Sequence, residues 1–138
     1  SYGEMLVNLA KMYNNAFLAI ECNGAGDSVL NTVVNQLHYN NVYYRTDMQS
    51  GRIDRWGWWT DRFSKPRMVD TLRTALETGA FHTWDSELIG ECRTFVQLGP
   101  DRVGAVSGSH DDLTIAVMIA LCVKSDSPRR RNTRILVY

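Results

Sequence analysis

The segment Ser109-His110-Asp111-Asp112-Leu113 opens a long apolar run, residues 114–123, and constrains the fold more than any other stretch. Two adjacent carboxylates stand where a buried helix is expected to begin. Charge that close to a core is costly unless something stabilises it. The free N–H groups and dipole of a helix N-terminus supply part of the answer, and a divalent cation would supply the rest. A further acid, Glu21, ends another apolar run, Ala16-Phe17-Leu18-Ala19-Ile20. Acids at the edges of one core outline a hard-cation site of the kind used to cut phosphodiesters. The plainer readings are an N-cap plus a first-turn acid at Asp111 and Asp112, and an ordinary exposed glutamate before a turn at Glu21.

A chain of 138 residues fits one domain. With 44% hydrophobic and 22% charged residues, it needs no staples to build a core. The net charge is zero, so a nucleic-acid role requires a local basic patch rather than a global field. Arg129, Arg130 and Arg131, with Arg134, form such a patch or else a solvated tail. The expected division is therefore a domain over 1–125 and a basic tail over 126–138. Cys22, Cys92 and Cys122 form no CxxC pair, which suits reduced thiols inside a cell better than a disulfide scaffold. No signal peptide is evident, and no apolar run reaches the roughly 20 residues needed to span a bilayer.

Met5, Leu6, Leu9 and Met12 recur at helical spacing and predict a helix over 4–13. Residues 16–21 read as a strand buried on both faces. A turn at Asn23-Gly24-Ala25-Gly26 leads to a helix capped by Asp27 or Ser28, and residues 42–45 read as a strand. Residues 48–63 are expected to be a loop or a distorted extended segment. Ser64-Lys65-Pro66 predicts a helix start with Ser64 as its capping hydroxyl, and Gly79 its stop. A strand over 80–84, a short helix capped by Asp85 or Ser86, a hairpin over 95–106 and a last helix over 110–124 complete the pattern. The fold class is α/β, or mixed, with helices packed on a sheet. Glu21 and the Asp111-Asp112 pair fall at strand ends, where open α/β sheets bind ligands.

Other residues carry weaker signals. His110 reads as a metal-site neighbour, a DNA-phosphate contact or a loop residue. The Asn23–Gly26 turn lacks the Walker lysine and does not match GxGxxG, though Asn23 is placed to position DNA beside Glu21. Lys65 and Arg67 sit at a helix start, where N–H groups favour anions, and are candidates for DNA-backbone contact or surface decoration. The tryptophans read as packing residues before base-stacking platforms.

Taken in order, several pieces resemble the nuclease domain of the large terminase subunit of tailed bacteriophages. They are the run to Glu21 with Asn23-Gly24-Ala25-Gly26, then Tyr39-Asn40-Asn41-Val42-Tyr43, Gly57-Trp58-Trp59-Thr60 and Ser64-Lys65-Pro66. The segment from Glu91 to Phe95 follows, and last comes Gly108-Ser109-His110-Asp111-Asp112-Leu113 with Ala116 and Ala120. The match covers roughly residues 5–123. It implies a ribonuclease-H-like mixed sheet flanked by helices, and a two-metal endonuclease that cuts concatemeric viral DNA. Glu21 matches one catalytic acid, and Asp111 and Asp112 match another without being separable. His110 matches a histidine often found there.

The resemblance implies two Mg²⁺ or Mn²⁺ ions, with double-stranded DNA, an ATPase domain, the portal and the small terminase subunit as partners. The setting it implies is the cytoplasm of an infected bacterial host. One departure matters. The family's first catalytic aspartate lies on a strand before the helix at which this chain starts, so the expectation is an N-terminally truncated domain, weakly active or inactive. Its opened sheet edges would invite a homodimer. The rival readings are a non-catalytic DNA-binding or docking module, in which the acids are caps, and a resolvase- or transposase-type nuclease of the same fold.

Overall fold

Ser1 begins helix α1 (Tyr2–Met12) with a capping box: its hydroxyl accepts from the Glu4 N–H while the Glu4 carboxylate reaches back to Ser1. The helix buries Gly3, Val7 and Ala10. The stripe expected from Met5, Leu9 and Met12 is turned outward instead, with Met12 80% exposed. The computed structural model describes residues 1–100 and 102–126, which hold five α-helices and two small antiparallel sheets. Of the expected basic tail over 126–138, Asp126 ends the last helix, and the rest, with Arg129, Arg130 and Arg131, lies outside the described residues.

Residues 16–22 are extended, and their alternation divides the interior. Leu18, Ile20 and Cys22 pack into one cluster with Val7, Ala10, Leu30 and Val33. Ala19 faces the other, built on Trp58, Met68, Leu72, Met118 and Ile119. The expected strand is not a full ladder. It is held by two isolated parallel bridges, Leu18 to Val42 and Glu21 to Trp58. The next helix, α2 (Gly26–Leu30), continues as a π-helical stretch, Asn31–Gln36, and buries Leu30, Val33 and Val34. Neither Asp27 nor Ser28 caps it. The N-cap position is Ala25, with no side-chain hydrogen bond.

Strands β1 (Tyr44–Thr46) and β2 (Ile53–Trp56) form an antiparallel pair with a register shift, so of the two expectations for 48–63 the distorted extended one holds at 53–56. Tyr44 and Trp56 lock it edge to face at 5.3 Å. At Gly57, φ is +85°, and a Cβ there would stand 2.7 Å from the Ile20 carbonyl oxygen. Glycine alone lets the chain turn at this point and lie beside residues 20–22.

Helix α3 (Ser64–Glu77) buries Met68, Leu72 and Ala75. Its cap is Asp61, not Ser64. The Asp61 carboxylate accepts from the N–H groups of Phe63 and Ser64, both at 2.8 Å, and the Ser64 hydroxyl accepts from the Asp61 N–H at 2.9 Å. Ser64 thus plays the third-position part of a capping box. Residues 80–84 are not a strand: Phe81 N–H returns to the Ala75 carbonyl at 3.0 Å, and Trp84 is exposed. Helix α4 (Ser86–Thr94) starts as expected on Asp85, whose carboxylate accepts from Leu88 N–H at 2.7 Å. The hairpin of β3 (Phe95–Gly99) and β4 (Arg102–Ala105) also forms, with a register shift between Gln97 and Gly99. Helix α5 (Asp112–Asp126) packs Met118, Ile119, Cys122 and Val123 against α3, and starts two residues later than the expected helix over 110–124.

Candidate functional site

Period-two alternation puts Ala19 and Glu21 on one face of the extended run, the face turned toward α5. The result is a cleft of about 320 Å³ lined by Glu21, Asp111 and Asp112. Lys65 and Thr60 complete its polar wall, and Ala19, Ile115, Ala116 and Ile119 its apolar one. The structure therefore brings together the three acids singled out in the sequence, from opposite ends of the chain.

Each acid has a distinct support. Gly26 packs so tightly under Glu21 that a Cβ at 26 would lie 1.8 Å from the Glu21 carbonyl oxygen. The bridge to Trp58 fixes the same residue from the other side, through Cys22 N–H donating to the Trp58 carbonyl at 2.8 Å. Cys22 itself is buried and its thiol donates to that carbonyl at 3.1 Å. Burial pushes the Cys22 pKa up, which keeps the thiol protonated and unreactive.

Asp111 occupies the N-cap position of α5, since its carbonyl accepts from Ile115 N–H at 2.8 Å. Its carboxylate does not turn onto the helix. It accepts from Ala105 N–H on β4 at 3.3 Å. The capping position is filled by Glu91 of α4, whose carboxylate accepts from Thr114 N–H at 2.8 Å. Glu91 and Thr114 are both buried. Nothing in the local sequence around Glu91 signals this role. A helix starting on two acids, neither of which caps the third N–H, requires an acceptor from elsewhere, but which one is a matter of tertiary packing.

Lys65 extends from the first turn of α3 into the cleft, and its Nζ donates to the Val103 carbonyl at 3.2 Å. Among the described residues the ion pairs are Ser1 with Glu4 and Arg67 with Asp126, so no cleft carboxylate is paired with Lys65. Asn23 anchors the cleft wall by a reciprocal pair of bonds: its amide donates to the Thr60 carbonyl at 2.7 Å and accepts from Thr60 N–H at 2.9 Å. The Thr60 hydroxyl is a second feature missing from the sequence reading. Its oxygen is buried without a hydrogen-bond partner among the described residues.

The remaining candidates fall elsewhere. Arg67 does not line the cleft. It pairs with Asp126 at the far end of α5, and that hydrogen bond raises its pKa further. His110 is exposed and is not among the cleft-lining residues.

Three carboxylates against one lysine leave the cleft negative, and oxygen-only donors are the set that hard divalent cations prefer. The chemistry of the donors fits Mg²⁺ or Mn²⁺. Their number is short: among the described residues, no three His, Cys, Asp or Glu side chains form a group able to hold a metal ion. No helix among the described residues is long and apolar enough to cross a membrane. Comparison with known protein families finds none that matches the chain. Comparison with curated proteins finds no matching relative.

Proposed function

We propose that this chain is the nuclease part of a tailed-bacteriophage terminase large subunit, ribonuclease-H-like in fold. Its substrate would be concatemeric double-stranded DNA, cut by metal-dependent phosphodiester hydrolysis. One observation carries the reading: Glu21 and the Asp111-Asp112 pair line a single cleft together with Lys65. The parallel bridges of residues 18–21 to Val42 and Trp58 are in keeping with the central part of such a sheet.

Glu21, Asp111 and Asp112 would hold Mg²⁺ or Mn²⁺. A metal bound there would supply an activated water and charge stabilisation at the leaving oxygen. The protein's own residues do the rest. Lys65, tethered to the Val103 carbonyl, presents a positive charge to a non-bridging phosphate oxygen. Ile115, Ile119 and Ala19 keep one wall apolar, which lowers the local dielectric and strengthens the Lys65 contact. Asn23 acts by holding Thr60. The partners that go with this reading are the packaging ATPase domain, the portal and the small terminase subunit, in the host cytoplasm.

The lack of three converging donors among the described residues favours a second reading, a DNA-binding or docking module without catalysis. Supercoiled plasmid incubated with the protein and Mn²⁺ separates the two. The nuclease reading expects weak nicking that is lost in Glu21→Ala and in Asp112→Ala. Nicking unchanged by both substitutions removes these residues from the mechanism.

A further inference from the structure

Helix α1 carries three faces, and its largest apolar side chains point to solvent. Gly3, Val7 and Ala10 turn inward. Glu4, Asn8 and Lys11 are exposed along a polar strip. Tyr2, Met5, Leu9, Met12 and Tyr13 form the third face, none of them less than 48% exposed. The orientation is fixed from inside. A Cβ on Gly3 would stand 2.8 Å from Thr32 Cγ2, so α1 rides directly on the π-helical stretch. Rolling the helix to bury Met5 or Leu9 would drive a long side chain into space that admits a hydrogen.

At roughly 200 Å² for a large side chain, these exposed fractions leave on the order of 600 Å² open on one copy of α1. That is the upper end of what a monomer exposes in one patch, and two copies of it exceed the about 1,000 Å² of a specific interface. Tyr2, Met5, Leu9 and Met12 are spaced three, four and three residues apart, as at the a and d positions of a helix–helix seam. The spacing reads the same in both directions. Two copies of α1 laid antiparallel about a two-fold axis between Met5 and Leu9 therefore match throughout. Tyr2 meets the partner's Met12, and Met5 meets the partner's Leu9. The face holds no charged residue, so no like charges meet across that axis. A partner recognised by charge has nothing to grip there, whereas a second copy supplies the same apolar ridge.

We propose that α1 is a homodimer interface, an isologous antiparallel helix pair built on Tyr2, Met5, Leu9 and Met12. The contact is a helix seam, distinct from any sheet edge. Antiparallel pairing also sets the two helix dipoles in opposition. Helix α1 packs on the cluster of Leu18, Ile20 and Cys22, across residues 16–22 from the Glu21 cleft, so pairing leaves both clefts open. The interface does not rest on the nuclease reading and requires no metal.

The test is sedimentation velocity of the chain from micromolar to submillimolar concentration, in EDTA. The seam expects a reversible monomer–dimer equilibrium with no larger species. Leu9→Lys places two ammonium groups in the seam and should raise the dissociation constant at least tenfold. Position 9 is exposed in the monomer, so circular dichroism should show this variant folded. Trp84→Lys removes an 87% exposed side chain from another part of the surface and should leave the equilibrium unchanged. Orientation is read by oxidation of cysteine variants. Tyr2→Cys and Met12→Cys chains should each cross-link no more than the parent does, and an equal mixture of the two should form a covalent heterodimer. A chain that stays monomeric throughout overturns the proposal. So does a dimer that survives Leu9→Lys or is lost in Trp84→Lys, and so does self-cross-linking of either cysteine variant above the parent level. Because EDTA removes the metal, failure of the cleft as a nuclease leaves this result standing, and the reverse also holds.

Discussion

The Glu91 carboxylate caps the N-terminus of α5 from another helix, accepting the Thr114 N–H at 2.8 Å. This bond releases Asp111 from the capping that its position would otherwise impose. The first turn of α5 can then present acids to a cleft without leaving its third N–H unsatisfied.

Replacing Glu91 by alanine strands a buried N–H, which costs about 1–3 kcal/mol. Thermal unfolding by circular dichroism should show Glu91→Ala melting well below the parent, by roughly 4 °C per kcal/mol at this chain length. Glu91→Gln keeps an acceptor oxygen and should recover most of the loss. Equal melting of parent and Glu91→Ala would mean that the cap carries no weight.

Gly26 supports Glu21 by the lack of a side chain. A Cβ at 26 would collide with the Glu21 carbonyl, and because the obstacle is backbone it cannot rotate away. Gly26→Ala should destabilise the fold by about 1–3 kcal/mol. It should also shift amide signals from Glu21 to Asn23 in a ¹⁵N correlation spectrum. A spectrum changed only at residues 25–27 would contradict the close packing.

The Asp61 cap gives a pH dependence with a defined sign. Hydrogen bonding from Ser64 N–H holds this carboxyl below the usual aspartate range, so its folded pKa is depressed. Its contribution is complete above the unfolded pKa near 3.9 and is lost as pH falls through the lower folded value. The melting difference between the parent and Asp61→Ala should be constant at neutral pH and shrink below about pH 4. A difference that grows on acidification would contradict the assignment.

Lys65 and Arg67 are neighbours in sequence and opposites in placement. Lys65 lines the cleft, whereas Arg67 is held by Asp126. Under the nuclease reading, Lys65→Ala should weaken duplex binding and lower the slope of log affinity against log salt by about 1. Arg67→Ala should change DNA affinity little and lower stability slightly, its pair being partly exposed. The opposite ranking would place the DNA on the far side of α3.

Local patterns carried most of the element order into the sequence. The apolar run of α5, the hairpin around Gly99-Pro100 and the Asp85 cap were legible because each depends on neighbours a few residues away. Elements that depend on tertiary partners differ from what the sequence suggests. Residues 16–21 have strand composition but find only isolated bridges, and residues 80–84 fold back onto the end of α3. Met5, Leu9 and Met12 have helical spacing, yet α1 packs through its smaller residues, Gly3, Val7 and Ala10. Ser64 looked like a cap because it precedes Lys-Pro, whereas the cap is three residues upstream. At the site, the acids stood out as charges beside apolar runs. Glu91 and Thr60 did not, because a buried acid inside a helix and a threonine after three tryptophan-rich positions look ordinary until their partners are in place.

We propose that Glu21 and the Asp111-Asp112 pair share a divalent cation, and isothermal titration of Mn²⁺ into the chain measures that binding. A shared site should give a saturable heat that disappears in Glu21→Ala and is strongly reduced in Asp111→Ala or Asp112→Ala, with all variants folded by circular dichroism. No saturable heat in the parent, or heat unchanged by Glu21→Ala, would contradict it.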